Sequence, residues 1–204
     1  MAGQSTARRS SKTYAERRAE RAEVDDPQVV FEAAARFLET RSRSVAEVRR
    51  RLMTAGYRPE LVDGATARLL DLGILDDEVF ARAWVESRDR ARPRGERAIR
   101  DELRIKGVDR TTVDLVLEER REAVSPSDGV DADGGRSPDR DAAERLIRKQ
   151  SRALARVADP RQRRQRAYAL LARHGFDPET CREVAAMVLA ADVDDDATDA
   201  GMDG

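Results

Sequence analysis

The stretch SVAEVRRRLMTAGYRPELV, residues 44–62, decides the fold, because its frame recurs twice more along the chain. The second copy is GERAIRDELRIKGVDRTTV, residues 95–113, and the third is RRQRAYALLARHGFDPETC, residues 163–181. Aligned on Gly56, Gly107 and Gly175, each copy carries a leucine four residues earlier: Leu52, Leu103 and Leu171. Val48, Ile99 and Ala167 lie four residues before those leucines, on the same side of a helix. Tyr57, Val108 and Phe176 follow the glycine directly, and Val62, Val113 and Cys181 lie six residues beyond it. Tandem repeats of this kind build an extended binding surface more readily than an enclosed catalytic pocket.

Each copy reads as helix, stop, helix. The glycine ends the first helix, since it alone takes the left-handed C′ conformation without a Cβ clash. Pro59 and Pro178 fit the first turn of the next helix, with Glu60 and Glu179 favourable at its positive end. Upstream, Ser44 with Glu47 makes a capping box, and Gly95 occupies the matching N-cap position. In the third copy Arg163 cannot cap, and Asp159-Pro160 predicts a start one turn earlier. A further helix precedes each pair. Val29–Leu38 carries Phe31, Ala34, Ala35 and Leu38 on one stripe; Asp77–Arg90 carries Phe80, Ala81, Trp84 and Val85; Arg140–Val157 carries Ala143, Leu146, Ile147, Leu154 and Val157. The expected fold is all-α, with three tandem three-helix repeats.

The boundaries follow from composition. Residues 27–74 form repeat 1, 75–122 repeat 2 and 139–190 repeat 3. Residues 123–138 contain SPSDGVDADGGRSP and read as a flexible linker. A basic arm, 1–26, and a tail at 191–204 with six Asp and no base are expected to be disordered. The chain's net charge of −1 therefore hides a marked segregation. Of its 39 basic residues only Lys12, Lys106 and Lys149 are lysine, which fits a high-GC codon bias and carries no argument for nucleic acid.

The sequence offers little chemistry. One cysteine and one histidine make neither a disulfide nor a zinc site, and no catalytic triad is assembled from them. Cys181 falls on an apolar stripe and His174 at a helix end, where a cation is favourable. Asp76-Asp77-Glu78 reads as capping rather than as a metal site, and Gly134-Gly135 lacks the strand and lysine of a phosphate loop. No enzyme activity, cofactor or metal is expected. No apolar run reaches membrane length and no secretory signal is present, so a cytoplasmic protein without membrane contact is expected.

The segment from Phe80 to Lys106 is more distinctive. Phe80, Trp84 and Arg88 lie four apart, the aromatics expected to anchor the core between repeats 1 and 2. Arg97, Arg100 and Arg104 are spaced as one stripe, with Glu96, Asp101 and Glu102 placed on other faces. A second basic cluster is Arg161, Arg163, Arg164, Arg166 and Arg173. Such stripes suit a polyanion or an acidic protein groove.

Leu69–Asp109 resembles the RecX family of recombinase regulators through Gly73, Leu75-Asp76-Asp77, Phe80-Ala81, Trp84-Val85, Ser87-Arg88, Gly95, Ile99, Glu102-Leu103 and Lys106-Gly107. Arg43-Ser44, Glu47, Leu52 and Gly56-Tyr57 extend the likeness into repeat 1, and Leu171 with Gly175-Phe176 into repeat 3. The resemblance implies a curved, elongated molecule that binds the RecA filament on DNA. It implies inhibition of ATP hydrolysis, strand exchange and co-protease activity, hence regulation of homologous recombination, DNA repair and the SOS response. The residues assigned to partner contact are Arg88, Arg94, Arg97, Arg100 and Arg104, in a chain expected to act as a monomer with DNA backbone contacts open. The alternative is a nucleic-acid-binding helical-repeat module that needs no RecA. The lack of aromatics on the basic stripes argues against base stacking.

Overall fold

The structure is a computed structural model that describes residues 12–123 and 137–199. Its elements are α1 (Tyr14–Ala22), α2 (Pro27–Leu38), α3 (Val45–Ala55), α4 (Pro59–Asp71), α5 (Asp77–Ala91), α6 (Glu96–Lys106), α7 (Arg110–Glu122), α8 (Pro138–Ala155), α9 (Pro160–Arg173) and α10 (Pro178–Asp199). The described residues form helices and no strand, so the fold is all-α. Helices α2–α4, α5–α7 and α8–α10 make three three-helix groups. The chain divides after Asp77 into two compact units, the first group lying in one and the other two groups in the other.

The repeat frame has a physical basis in each group. Val48, Ile99 and Ala167 are fully buried, as are Leu103 and Leu171, with Leu52 at 2% exposure. Gly56, Gly107 and Gly175 take φ of 107°, 81° and 81°. The residue after each glycine returns its N–H to the carbonyl of the frame leucine: Tyr57 to Leu52 at 3.3 Å, Val108 to Leu103 at 3.1 Å and Phe176 to Leu171 at 3.4 Å. That bond closes a Schellman turn and satisfies carbonyls the helix end would leave open. Each group then has its own core: Val30, Ala34, Val48, Leu52, Val62 and Leu69 in the first; Phe80, Val85, Ile99, Leu103, Val113 and Leu117 in the second; Ala142, Leu146, Leu171, Phe176, Cys181 and Val184 in the third. Phe80 is part of the second group's own core, and Trp84 packs against it. In α2 the buried pair is Val30 and Ala34, while Phe31 and Phe37 are half-buried beneath Arg68 and Arg43, at 4.4 and 4.1 Å.

Helix starts are held by side chains. Ser44 accepts the Glu47 N–H at 3.2 Å, and the Glu47 carboxylate accepts the Ser44 N–H. Asp77 accepts the Val45 N–H at 2.9 Å, adding a second cap from a distant point in the chain. Asp159 caps α9 one turn before the frame position.

Two expectations of disorder are corrected. Within the arm, residues 14–22 form α1, with a capping box between Thr13 and Glu16. α1 lies against the end of α3: Tyr14 Oη donates to the Thr54 carbonyl at 2.7 Å and Arg21 to that of Ala55 at 3.4 Å. It buries none of its own residues and stands by capping another helix's orphan carbonyls. In the tail, α10 continues to Asp199, because Ala-rich sequence after Pro178 contains no Gly or Pro to stop it. Residues 1–11, 124–136 and 200–204 lie outside the described residues, and with them most of the expected linker.

The second and third groups are docked through backbone contact. Gly95 N–H donates to the His174 carbonyl at 3.0 Å. A Cβ at Gly95 would lie 2.3 Å from the Gly175 oxygen, so these chains cross at glycine. The start of α6 has no cap of its own, and Asp139 of α8 supplies one by accepting the Glu96 N–H at 2.9 Å. Asp139 also accepts from Arg120 at 2.6 Å, while Arg120 holds Asp89 through two bonds of 3.0 and 2.9 Å. The Arg120 side chain is 5% exposed. Burial pulls its pKa down, and its bonds to Asp89 and Asp139 raise it overall. Lys149 donates to the Ala91 carbonyl at 3.0 Å. Burial lowers the His174 pKa, so this helix-end histidine is held toward the neutral form rather than as a capping cation.

Candidate partner-binding interface

Helices α5 and α6 carry the five arginines assigned to contact. α5 turns Phe80, Ala81 and Val85 into the core, which leaves Trp84 half-buried at the edge, its ring 5.9 Å from that of Phe80. Glu102 of α6 organises what surrounds it. One carboxylate oxygen accepts from Trp84 Nε1 at 2.8 Å and from Arg88 Nε at 2.5 Å. The other lies 3.6 Å from Arg94 Nε. The Arg88 guanidinium lies 4.2 Å from the Trp84 ring and the Lys106 ammonium 4.9 Å from it. Cations over an indole face gain about 0.5–2 kcal/mol, depending on exposure.

The opposite flank of α6 meets α7. Arg100 pairs with Asp114 and, at 3.0 Å, with Glu96. Arg121 forks onto both oxygens of Glu96, each at 2.9 Å. These bonds raise the Arg100 pKa, Asp114 contributing most, and hold the Glu96 carboxyl below its ordinary range, Arg121 contributing most. On the solvent face Arg104 is 72% exposed and only 3.9 Å from Asp101. Arg97 is exposed and makes no ion pair among the described residues. It lines a cleft of about 510 Å³ with Tyr168, Gly175 and Phe176.

The expected stripe of Arg97, Arg100 and Arg104 is divided by pairing, and the five contact arginines fall into three environments. Arg88 and Arg94 gather at Glu102, Arg100 faces α7, and Arg97 and Arg104 face solvent. The acids expected on other faces reach the arginines through i,i+3 and i,i+4 neighbours and long side chains. Sequence reading passed over Ile105, which is 74% exposed beside Arg104. Its signal was present: Ile105 falls off the Ile99–Leu103 stripe. The second cluster sits on α9, which carries Arg161, Arg163, Arg164, Arg166 and Arg173 with no acid inside the helix.

Among the described residues no group of three or more His, Cys, Asp or Glu is placed to hold a metal. Cys181 is buried with Sγ 3.6 Å from the Phe176 carbonyl, and burial raises its pKa. No described helix is long and apolar enough to cross a membrane.

Comparison with known proteins places this architecture. Profiles of the first, second and third three-helix domains of RecX match residues 31–69, 76–117 and 138–185. The regulatory protein RecX of Mycobacterium avium (strain 104) is 33% identical over 157 residues, 77% of this chain and 83% of the relative. That of Mycobacterium sp. (strain KMS) is 34% identical over 160 residues, covering 77% and 80%. The crystal structure of RecX from Lactobacillus salivarius shares the fold with a TM-score of 0.64 at 17% identity, covering 80% of this chain and 97% of that one. The repeat frame, its three cores and these matches agree, and the chain belongs to the RecX family of regulatory proteins.

Proposed function

We propose that this chain regulates the RecA recombinase by binding the RecA–DNA filament. It inhibits the filament's ATPase, strand-exchange and co-protease activities, and so modulates DNA repair and the SOS response. It acts as a monomer in the cytoplasm. Membership of the RecX family carries this reading. The α6 surface supports it: Arg97 and Arg104 present charge to solvent beside exposed Ile105, a combination suited to a protein surface with acidic groups. Arg88, Arg94 and Arg100 contribute at the flanks, each already turned toward Glu102 or Asp114. A molecule that bridges neighbouring protomers blocks many of them, so inhibition below equal stoichiometry is expected.

The test is single-strand-dependent ATP hydrolysis by the cognate RecA, titrated with this protein at low molar ratios and two salt concentrations. Arg97→Glu with Arg104→Glu should abolish inhibition without loss of helix content, since neither side chain supports the core. Adding Arg100→Glu should complete the loss, at some cost in stability because Asp114 and Glu96 then face a like charge. Full inhibition by the double variant removes these arginines from the contact surface. Inhibition seen only when the protein is abundant enough to coat the DNA favours a nucleic-acid-binding module instead.

A further inference from the structure

The third group carries a second surface, independent of the α6 arginines. From residue 145 to 173 the sequence holds ten basic residues and a single acid, Asp159. Asp159 is committed to the start of α9, where it accepts the Arg161 N–H at 2.9 Å. Arg152, Arg156, Arg161, Arg164 and Arg166 are exposed and make no ion pair among the described residues. In this basic field α8, α9 and α10 leave an apolar hollow of about 340 Å³. Ile147, Leu154, Val184, Met187 and Val188 line it together with Arg148, Arg163 and one acid, Glu144. Glu144 is taken up by Arg140 at 3.4 Å and Arg148 at 3.7 Å, so the unpaired charge around the hollow is that of the arginines named above. Met187 is 39% exposed, and the hollow meets solvent. Its size is at the small end of clefts that hold ligands, about 300–1,000 Å³.

We propose that this hollow is a docking site for an amphipathic acidic helix of a partner protein, whose apolar side chains enter it while its carboxylates meet the surrounding arginines. The charge selects an acidic occupant, and the apolar floor selects one that projects side chains. A nucleic-acid strand satisfies the first condition but not the second. The lining contains no aromatic ring on which a base could stack. Met187 suits an anchor pocket because its unbranched, polarizable side chain adapts to the shape presented.

The probe is a fluorescein-labelled synthetic peptide with leucine at i, i+4 and i+7 and Asp or Glu between, followed by anisotropy against the full chain. A scrambled peptide of the same composition and an unstructured oligothymidine serve as comparisons. Met187→Asp should weaken the patterned peptide by about tenfold or more while circular dichroism and oligothymidine binding stay unchanged. Ser151→Phe, which fills the hollow from an exposed position on α8, should give the same loss if Met187→Asp disturbs folding. Arg152→Glu with Arg156→Glu should weaken it further at low salt than at high salt. The proposal is overturned if the scrambled peptide binds as well as the patterned one. It is overturned equally if filling the hollow leaves binding intact while charge reversal removes peptide and oligothymidine together, which marks a general polyanion surface.

Discussion

Gly95→Ala is the sharpest probe of the dock between the second and third groups. Gly95 has φ −73° and ψ 159°, extended backbone that any residue adopts, so alanine brings no conformational strain. Glycine is preferred over alanine at an N-cap by about 1 kcal/mol, and the gain of about 0.4–1 kcal/mol from restricting the unfolded chain roughly offsets this, so the exchange alone is near neutral. Here the new Cβ would lie 2.3 Å from the Gly175 oxygen and 2.4 Å from the Phe176 nitrogen, well inside contact distance and against backbone. Overpacking of this kind costs about 1–3 kcal/mol, and parting the chains also loses the Gly95–His174 hydrogen bond, about 0.5–1.5 kcal/mol. A loss of about 2–4 kcal/mol follows, or roughly 5–15 °C in Tm for a chain of this size. Trp84, the chain's single tryptophan, lies in the second group, so its fluorescence reports on the dock and should be followed beside circular dichroism. Gly64→Ala is the control: Gly64 lies inside α4 with nothing within 4 Å of its Cβ position, and alanine there should stabilise by about 0.5–1 kcal/mol. A Gly95→Ala protein with unchanged Trp84 melting refutes the close crossing, and with it the rigid placement of the third group.

Three further outcomes follow from the charged groups. Arg120→Ala leaves Asp89 and Asp139 without their shared cation in a largely buried site and should cost about 3–5 kcal/mol in urea unfolding, whereas Arg90→Ala, on the exposed side of α5, should cost under about 1 kcal/mol. Because the Glu96 pKa is lowered on folding, its contribution is complete above the ordinary carboxylate value and is lost as pH falls through the lowered one; Arg121→Gln should flatten the acid side of the Tm–pH profile, and an unchanged slope excludes this network. Charge reversal at Arg161 and Arg164 should slow association with an acidic partner and reduce its salt dependence, while reversal at Arg97 and Arg104 should mainly speed dissociation, both read by stopped-flow mixing and surface binding.

What could be read from sequence was what local physics decides. A glycine at C′, a serine three before a glutamate and a proline at N1 each act within one turn, so α3, α4, α6, α9 and α10 start where their capping signals lie. The extra start at Asp159 was legible for the same reason. α1 was not, because it has no apolar stripe: its place depends on the carbonyls of Thr54 and Ala55, more than thirty residues away. In α2 the stripe was drawn one residue off, through Phe31 rather than Val30. An aromatic with an arginine above it is comfortable at half burial, and nothing in the local pattern separates that from a core position. Gly95 was recognised as a cap for a sound local reason, yet the demand on it comes from Gly175, eighty residues later.

The candidate site was legible as composition but not as electrostatics, and the difference changes how the surface works. A sequence counts arginines; a field depends on what remains after pairing. Residues 96–106 hold four bases and three acids, and the structure draws most of them together. A paired charge acts as a dipole beyond a few ångströms, and salt screens even a bare one beyond about 8–10 Å. α6 therefore attracts little at a distance. Under the proposed function its arginines act at contact range, where a partner carboxylate would compete with Asp101 for Arg104 or meet Arg97 directly. α9 is the converse, with five arginines and no acid within the helix, so it projects charge to the screening limit. The two basic clusters look alike in sequence, and the kinetic split between association and dissociation is the test that separates them: slower association on reversal of α9 and faster dissociation on reversal of α6 are the outcomes this electrostatic difference predicts.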